Sequence, residues 1–404
     1  MKIFPVLRYL EERGANVSLI FTGQHYEKDM SDVFFHELGI RSPEKKLQWT
    51  GGTTGTQLSS IAGELESVLI EEQPSVVAVQ GDTNSVFFGA LIASKNRIPV
   101  AHIEAGCRSF DLRMSEEVTR RMVDSCALRH YASSYISALN LISEGVPQNS
   151  ILLTGSPLKQ TCQYMVERNS DPNRITGDYV LITAHRGETV DDQHNLERIL
   201  GILSTEDVQF VFPMHPRTRN SLKRFGLLED LMGMENVKVL GPQGYSDFLH
   251  LLNNARAVLT DSGGVQEEAA VLFTPCLTLR ENTEWYETIR SGANRLVGLN
   301  VETVRSLIKR ILSDEDFRRS FTTNKTFPDI DSGKIIGEDL IRYDFKKGID
   351  PTRMEGGYPL LHLVEDVIDN DLVHHAFKGD GQVHFITDND DAKARFYTIR
   401  KLVK

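Results

Sequence analysis

An α/β fold with two doubly wound units is what this 404-residue sequence predicts, and three observations predict it. Short runs rich in Val, Ile and Leu alternate with helix-length amphipathic stretches along most of the chain. The strand-like runs are continuously apolar rather than alternating, which marks parallel sheets covered on both faces. A polar, turn-rich break at residues 171–177 separates two series of similar size.

In the first series, residues 16–21, 75–80, 99–103, 130–132 and 150–153 read as strands. Residues 31–38, 57–70, 85–94 and 116–127 carry helical periodicity between them. The pattern pauses at 154–168, and a second series of strands follows at 179–184, 208–214, 237–240, 257–260, 275–279 and 295–297. Domains at 1–160 and 161–343 result, with a cleft between them and an extension at 344–404. Within that extension, 344–357 reads as a linker, 358–369 and 391–403 as helices and 382–387 as a strand. It is best explained as a small appendage on the second domain. His374, His375 and His384 lack the carboxylate or cysteine spacing of a metal site.

Composition narrows the function. Hydrophobic residues at 40% and charged residues at 25% fit a globular chain with a sizeable core in each domain. A net charge of -11 opposes general nucleic-acid binding, which needs clustered Lys and Arg. It leaves room for a small anion in a local pocket. No apolar run approaches the roughly 18 residues of a membrane span, and no signal-peptide core begins the chain. Four scattered cysteines fit reduced thiols, hence a cytoplasmic protein.

Ligands of such sheets bind at the carboxyl ends of strands, where the chemistry-bearing residues of this chain cluster. After residues 257–259, Asp261-Ser262-Gly263-Gly264 leads into a helical run with Glu268 one turn inside. Glycines admit close backbone approach to an anion, and a helix start offers unpaired N–H groups and a positive dipole end. Glu268 is placed to accept hydrogen bonds from ribose hydroxyls. An ordinary strand–turn–helix junction would carry the same glycines.

Four further strand-end clusters matter. Asp82, in Gly81-Asp82-Thr83-Asn84, is either poised for acid/base work or an N-cap. His102-Ile103-Glu104-Ala105-Gly106 puts an ionisable pair directly after a buried strand, which is costly without a task. For His102 a satisfied core position is the simpler reading. Glu116 opens a helix and faces the same strand ends, although Glu116–Arg120 and Glu117–Arg121 are also ordinary solvated i,i+4 pairs. His185-Arg186 reads as a diphosphate clamp, and His215-Pro216-Arg217 repeats that chemistry one strand over. Carboxylates on one side and an anion clamp on the other suit proton abstraction beside a departing phosphate. Neither a Gly-x-Ser-x-Gly elbow nor a Walker P-loop occurs.

Together these motifs resemble the non-hydrolysing UDP-N-acetylglucosamine 2-epimerase family. The likeness spans about residues 1–340 and rests on an ordered set: FTGQHYEKDM, QGDTNS, HIEAGCRSFDLRMSEEVTRR, TAHRGE, HPRTR, LTDSGGVQEEA, LRENTEW and GANRLVG. It implies an α/β fold of two Rossmann-like doubly wound domains in a GT-B arrangement. It also implies inversion of C2 of the UDP-linked sugar, giving UDP-N-acetylmannosamine for surface polysaccharide precursors by elimination and re-addition of UDP. Asp82, Glu104 and Glu116 become the acid/base candidates, with His185 supporting the diphosphate. Ser262, Gly263 and Gly264 would hold phosphate, Glu268 the ribose, and Lys2 and Arg186 the nucleotide. Gln24 and His25, with His215, match a segment lining a regulatory UDP-sugar site in bacterial members. No cofactor or metal is implied, and family precedent implies a homodimer.

Departures from the family pattern qualify these expectations. Members begin with a strand and a Gly-Thr-Arg-Pro-Glu loop, whereas Met1-Lys2-Ile3-Phe4-Pro5 matches the residues just after it. Either the start is misassigned or the chain is cut. A genuine absence would leave a first sheet without its first strand, a phosphate site without that Arg, and weak or no activity, as in a catalytically dead UDP-sugar-binding relative. Glu284-Trp285-Tyr286-Glu287 replaces the usual Glu-Arg-Pro-Glu, which trades an Arg of the nucleotide pocket for an aromatic platform, and resembles members acting on UDP-2,3-diacetamido-glucuronic acid. Asp124 is followed by Ser125 where His is usual. A GT-B glycosyltransferase would share the fold, but the Glu104/Glu116 pair argues against it.

Overall fold

The computed structural model describes residues 1–23, 35–48, 53–168, 178–321 and 326–345, and the backbone of 374–378 and 382–386. The chain divides into two compact units. One comprises Met1–Ile61, Arg108–Glu117 and Gly155–Ile341; the other comprises Ala62–Cys107, Val118–Thr154 and the residues from Arg342 onward.

The first unit is built on a six-stranded parallel sheet. Its strands are β7 (Val180–Thr183), β8 (Phe210–Pro213), β9 (Val237–Leu240), β10 (Ala257–Thr260), β11 (Cys276–Thr278) and β12 (Asn294–Leu296). Their spatial order is β12-β11-β10-β7-β8-β9, so the winding reverses between β7 and β10 and the sheet is doubly wound. Every residue of β7 and β10 is buried, as continuous apolar runs covered on both faces require. The helix Gln193–Leu203 starts at Asp192, whose side chain accepts the Asn195 N–H, and buries Leu196, Ile199, Leu200 and Leu203. That i, i+3, i+4, i+7 stripe joins Val304, Ile308 and Ile311 of the helix Val301–Ser313 in one core with Val180 and Ile182.

This unit also contains a two-stranded parallel pair, β1 (Ile20–Phe21) with β2 (Lys45–Lys46), and the helix Phe4–Glu12. That helix opens with Pro5 in its first turn, where a missing N–H costs nothing. Neither it nor β2 was legible as an element, because two-residue strands and an opening turn carry too short a period.

The second unit holds a four-stranded parallel sheet in the order β3 (Val77–Gln80), β4 (Val100–Ala105), β5 (Arg129–Ala132) and β6 (Ile151–Leu153). The helices Thr54–Glu72, Asn84–Lys95 and Ser115–Cys126 match the expected 57–70, 85–94 and 116–127 within a turn. In the tail, His374–Lys378 pairs antiparallel with Gln382–Ile386, matching the strand expected at 382–387. The helices expected at 358–369 and 391–403 lie outside the described residues, as does most of that expected at 31–38, of which residues 35–38 are helical. Among the described residues, no helix is long and apolar enough to cross a membrane.

Candidate active site

In the first unit, the switch point between β7 and β10 organises the expected anion-binding residues. Asp261 directly follows β10, is fully buried, and accepts the backbone N–H groups of His185 and Arg186, each at 2.9 Å to Oδ2. A buried carboxylate so used joins the two strand ends on either side of the crevice in which such sheets bind ligands. The sequence reading took Asp261 only as a strand end. Its splinting role depends on which strands are neighbours.

Ser262 precedes the helix Gly263–Val271 with extended backbone, and its side chain does not cap that helix. The first-turn N–H groups are therefore not satisfied by a cap from their own N-terminal residue, the condition under which a helix start binds an anion. Gly263 and Gly264 lie inside the first turn rather than breaking the chain before it. Gly263 has a second reason to be glycine. A Cβ there would fall 2.1 Å from Glu284 Oε1 and 3.3 Å from Trp285 Nε1.

Arg186 sits 3.7 Å from Glu116 Oε1 and 3.6 Å from Glu284 Oε1. Glu284 is also bonded by Arg280 at 3.0 Å. Arg186 is thus shared between two carboxylates at long range, a geometry that a diphosphate can compete for. His185 Nδ1 is 3.7 Å from Asp261, and its ring lies 5.4 Å from that of His215. His215 in turn caps the helix Pro216–Arg224 by accepting the Arg217 N–H at Nδ1. Gln24 and His25, expected beside His215, lie outside the described residues.

Lys2 Nζ is 3.1 Å from Glu267 Oε2 and 4.9 Å from the centre of the Trp285 ring. Glu267 also accepts the Ser156 hydroxyl. Trp285 is only 2% exposed and stands edge-on to Phe327. It therefore packs under Gly263 rather than presenting an open aromatic platform. Burial pushes Glu268 up to about 8, with the Tyr245 hydroxyl hydrogen-bonded to it and drawing it partly back. Tyr245 also contacts Cys162 Sγ at 3.4 Å.

A pH prediction follows. The folded carboxyl of Glu268 titrates near 8 against an ordinary 4.5, so folding favours its protonated form. The stability this confers is fully present below pH 4.5 and is lost as pH rises through 8. Glu268→Gln cannot titrate. Urea unfolding from pH 5 to 9 should show wild type losing stability relative to the variant as pH rises; parallel curves would refute the neutral carboxyl.

The second unit places Asp82 and Glu104 at the carboxyl ends of β3 and β4. Asp82 does not cap the next helix, because Thr83 is the N-cap of Asn84–Lys95. Instead its Oδ2 accepts a hydrogen bond from Arg120 Nε at 2.9 Å, and the Arg120 Nη2 cation stands 2.7 Å from the same oxygen. Arg120 is 2% exposed and its bond with Asp82 is part-buried, in place of the solvated helix-surface position expected of it. Glu117 does not take the solvated surface position expected of it either. It is fully buried and accepts the N–H and hydroxyl of Ser109 at 2.8 and 3.1 Å.

Glu104 is the most constrained of the candidates. Its φ is +71°, in the left-handed region that non-glycine residues avoid, and the β4–β5 register shifts between Ile103 and Ala105. Such a bulge re-aims one side chain out of the strand's alternation. The Glu104 carboxylate accepts a hydrogen bond from Gln80 Nε2 at 2.8 Å. His102 is wholly buried, as expected of a satisfied core histidine, with Nδ1 2.6 Å from Asp124 and Nε2 2.9 Å from the Gly81 carbonyl. Burial alone would depress the imidazole, but the Asp124 carboxylate overrides it and raises His102. Asp124, Arg120, Gln80 and Asp261 were all missed by sequence reading. Asp124 carried a signal through its neighbour Ser125 and Asp261 through its place in the Asp261-Ser262-Gly263-Gly264 turn, but neither signal named a partner.

The chain also resembles known proteins. The profile of a family described as UDP-N-acetylglucosamine 2-epimerase matches residues 8–340. A UDP-N-acetylglucosamine 2-epimerase of Methanocaldococcus jannaschii is 41% identical over 340 residues, covering 81% of this chain and 93% of that protein. The UDP-2,3-diacetamido-2,3-dideoxy-D-glucuronate 2-epimerase of Pseudomonas aeruginosa is 37% identical over 317 residues, 76% of this chain and 88% of its own. Among solved structures, that of the M. jannaschii UDP-GlcNAc 2-epimerase in complex with UDP-GlcNAc and UDP matches with a TM-score of 0.79 at 40% identity. It covers 84% of this chain and 96% of that one.

Proposed function

We propose that this chain, which belongs to the UDP-N-acetylglucosamine 2-epimerase family, inverts C2 of UDP-N-acetylglucosamine to give UDP-N-acetylmannosamine. A base takes the C2 proton while the C1–O bond to UDP breaks, leaving a 2-acetamidoglucal and free UDP in the site. An acid returns a proton to C2 from the opposite face, and the UDP oxygen re-forms its bond to C1. Two proton-handling groups and a firm hold on the leaving diphosphate are the requirements of this chemistry.

Glu104 is the observation that carries the reading. A carboxylate bulged out of a buried strand, in a backbone conformation costing about 1–2 kcal/mol, is strain of the kind kept at reacting centres. Asp82 and Glu116 complete the acid/base set. His185 and Arg186 support the diphosphate, whose phosphates sit at Ser262, Gly263 and Gly264. Lys2 and Glu268 serve the nucleotide end, and His215 with Gln24 and His25 a regulatory UDP-sugar site. The enzyme acts in the cytoplasm as a homodimer, supplying a surface-polysaccharide precursor.

The test is incubation with UDP-N-acetylglucosamine in deuterated water, followed by NMR of the sugar. Deuterium at C2 together with an epimeric product is the expected result. UDP binding without exchange would identify a catalytically impaired relative and sink the reading. The P. aeruginosa relative favours one second substrate, UDP-2,3-diacetamido-glucuronic acid. Faster exchange with that sugar would reassign the substrate and leave the chemistry intact.

A further inference from the structure

Asp124 lies on the helix Ser115–Cys126, is 3% exposed, and spends its two oxygens on the two sides of one residue. Its Oδ1 is 2.6 Å from His102 Nδ1, and its Oδ2 accepts the Gly106 N–H at 3.1 Å. His102 and Gly106 stand two positions before and two after the bulged Glu104. The other imidazole nitrogen donates to the Gly81 carbonyl at 2.9 Å, next to Asp82. His130 closes the group from β5, its Nε2 donating to the Asp124 backbone carbonyl at 2.9 Å.

A bulge with φ at +71° loses ladder support where its side chain must be most accurately aimed. The surrounding structure has to over-determine it. The bracket supplies that determination, tying both ends of the bulge to one buried carboxylate and the Asp82 loop to the same imidazole.

We propose that Asp124, acting through His102, is a positioning residue that holds Glu104 and Asp82 in register for proton transfer. Asp124 itself handles no proton of the reaction. The proposal rests on the epimerase reading, since it takes Glu104 and Asp82 as the groups that must be aimed.

Three variants of the full chain test it. Asp124→Ala removes both arms of the bracket. Asp124→Asn can keep them: its amide nitrogen donates to a neutral His102 Nδ1, its oxygen accepts the Gly106 N–H, and Nε2–H still donates to Gly81. His102→Asn keeps a donor toward Asp124 but gives up the reach to Gly81. For Asp124→Ala the expected fall in kcat is about 10²-fold, the scale of a 1 Å misplacement. KM and the calorimetric Kd for UDP should stay within about threefold, because uniform binding is untouched. Asp124→Asn should lose at least about tenfold less kcat than the alanine variant. An equal loss in both would overturn the bracket, as would an unchanged kcat in Asp124→Ala.

Amide hydrogen exchange supplies a readout that needs no activity. Asp124→Ala should weaken protection of residues 103–106 by roughly tenfold or more, with Asp124→Asn close to wild type. Should wild type fail to exchange the C2 hydrogen of any UDP-sugar offered, the reaction reading falls. The bracket is then judged by this exchange alone, and equal protection in both variants refutes it. Where Asp124→Ala does not fold, His102→Asn decides: protection must fall at residues 81–83 and persist at 103–106. Any other pattern overturns the proposal.

Discussion

Glu104→Gln is expected to abolish exchange of the C2 proton with solvent while leaving UDP binding within about twofold of wild type. Loss of a positioned general base costs on the order of 10²–10⁴-fold in rate, and glutamine is the substitution that isolates that cost. Its Oε1 can still accept the hydrogen bond that Gln80 donates at 2.8 Å. Shape and local contacts are kept while the proton-accepting capacity is lost. The backbone strain at +71° is the same for both residues, so folding should be nearly unaffected. Deuterium incorporation by NMR and UDP titration by calorimetry check the two halves separately. Unchanged exchange would remove Glu104 from the acid/base set and shift attention to Glu116 and Asp82.

Gly106→Ala should produce the largest stability change in the second unit. The residue has φ of +79°, and a Cβ built there falls 2.1 Å from the Ser137 carbonyl oxygen and 2.8 Å from Leu141 Cγ. The first of these is backbone in the helix Tyr135–Ser143, so a rotamer change cannot relieve it. Left-handed strain of about 1–2 kcal/mol adds to an overpacking cost of about 1–3 kcal/mol. For a unit of this size that is a drop in Tm of roughly 5–15 °C. Gly145→Ala is the matched comparison. It has φ of +87° but nothing within 4 Å of the added Cβ, so only the strain should register. Equal melting shifts for the two variants would show that contact with Ser137 is not the cause.

Legibility in the sequence followed the range of the interaction concerned. Val180–Thr183 and Ala257–Thr260 were readable as buried strands because three apolar residues in succession, closed by a β-branched threonine, admit few other packings. Helix faces such as Leu196, Ile199, Leu200 and Leu203 were readable because their period is set within one element. Strand ends bearing Asp82, Glu104, His185 and Ser262 could be singled out for the same local reason. What each end touches could not. Arg120 was readable only as a helical neighbour of Glu116, yet it bonds Asp82 38 positions away. Trp285 read as an aromatic surface and is instead packed beneath Gly263.

The sequence by itself determined the α/β class, the parallel sheets and the ordered motifs that mark the family, since all of these are patterns of residue type along the chain. Tertiary structure alone decided the order β12-β11-β10-β7-β8-β9, and with it the reversal that puts Asp261 across from the backbone of His185 and Arg186. It also decided the bulge that re-aims Glu104 and the Asp124–His102 bracket around it. Register and neighbour choice are settled by the summed packing of both sheet faces and by the need to pair every buried polar group. No local window of sequence contains that sum.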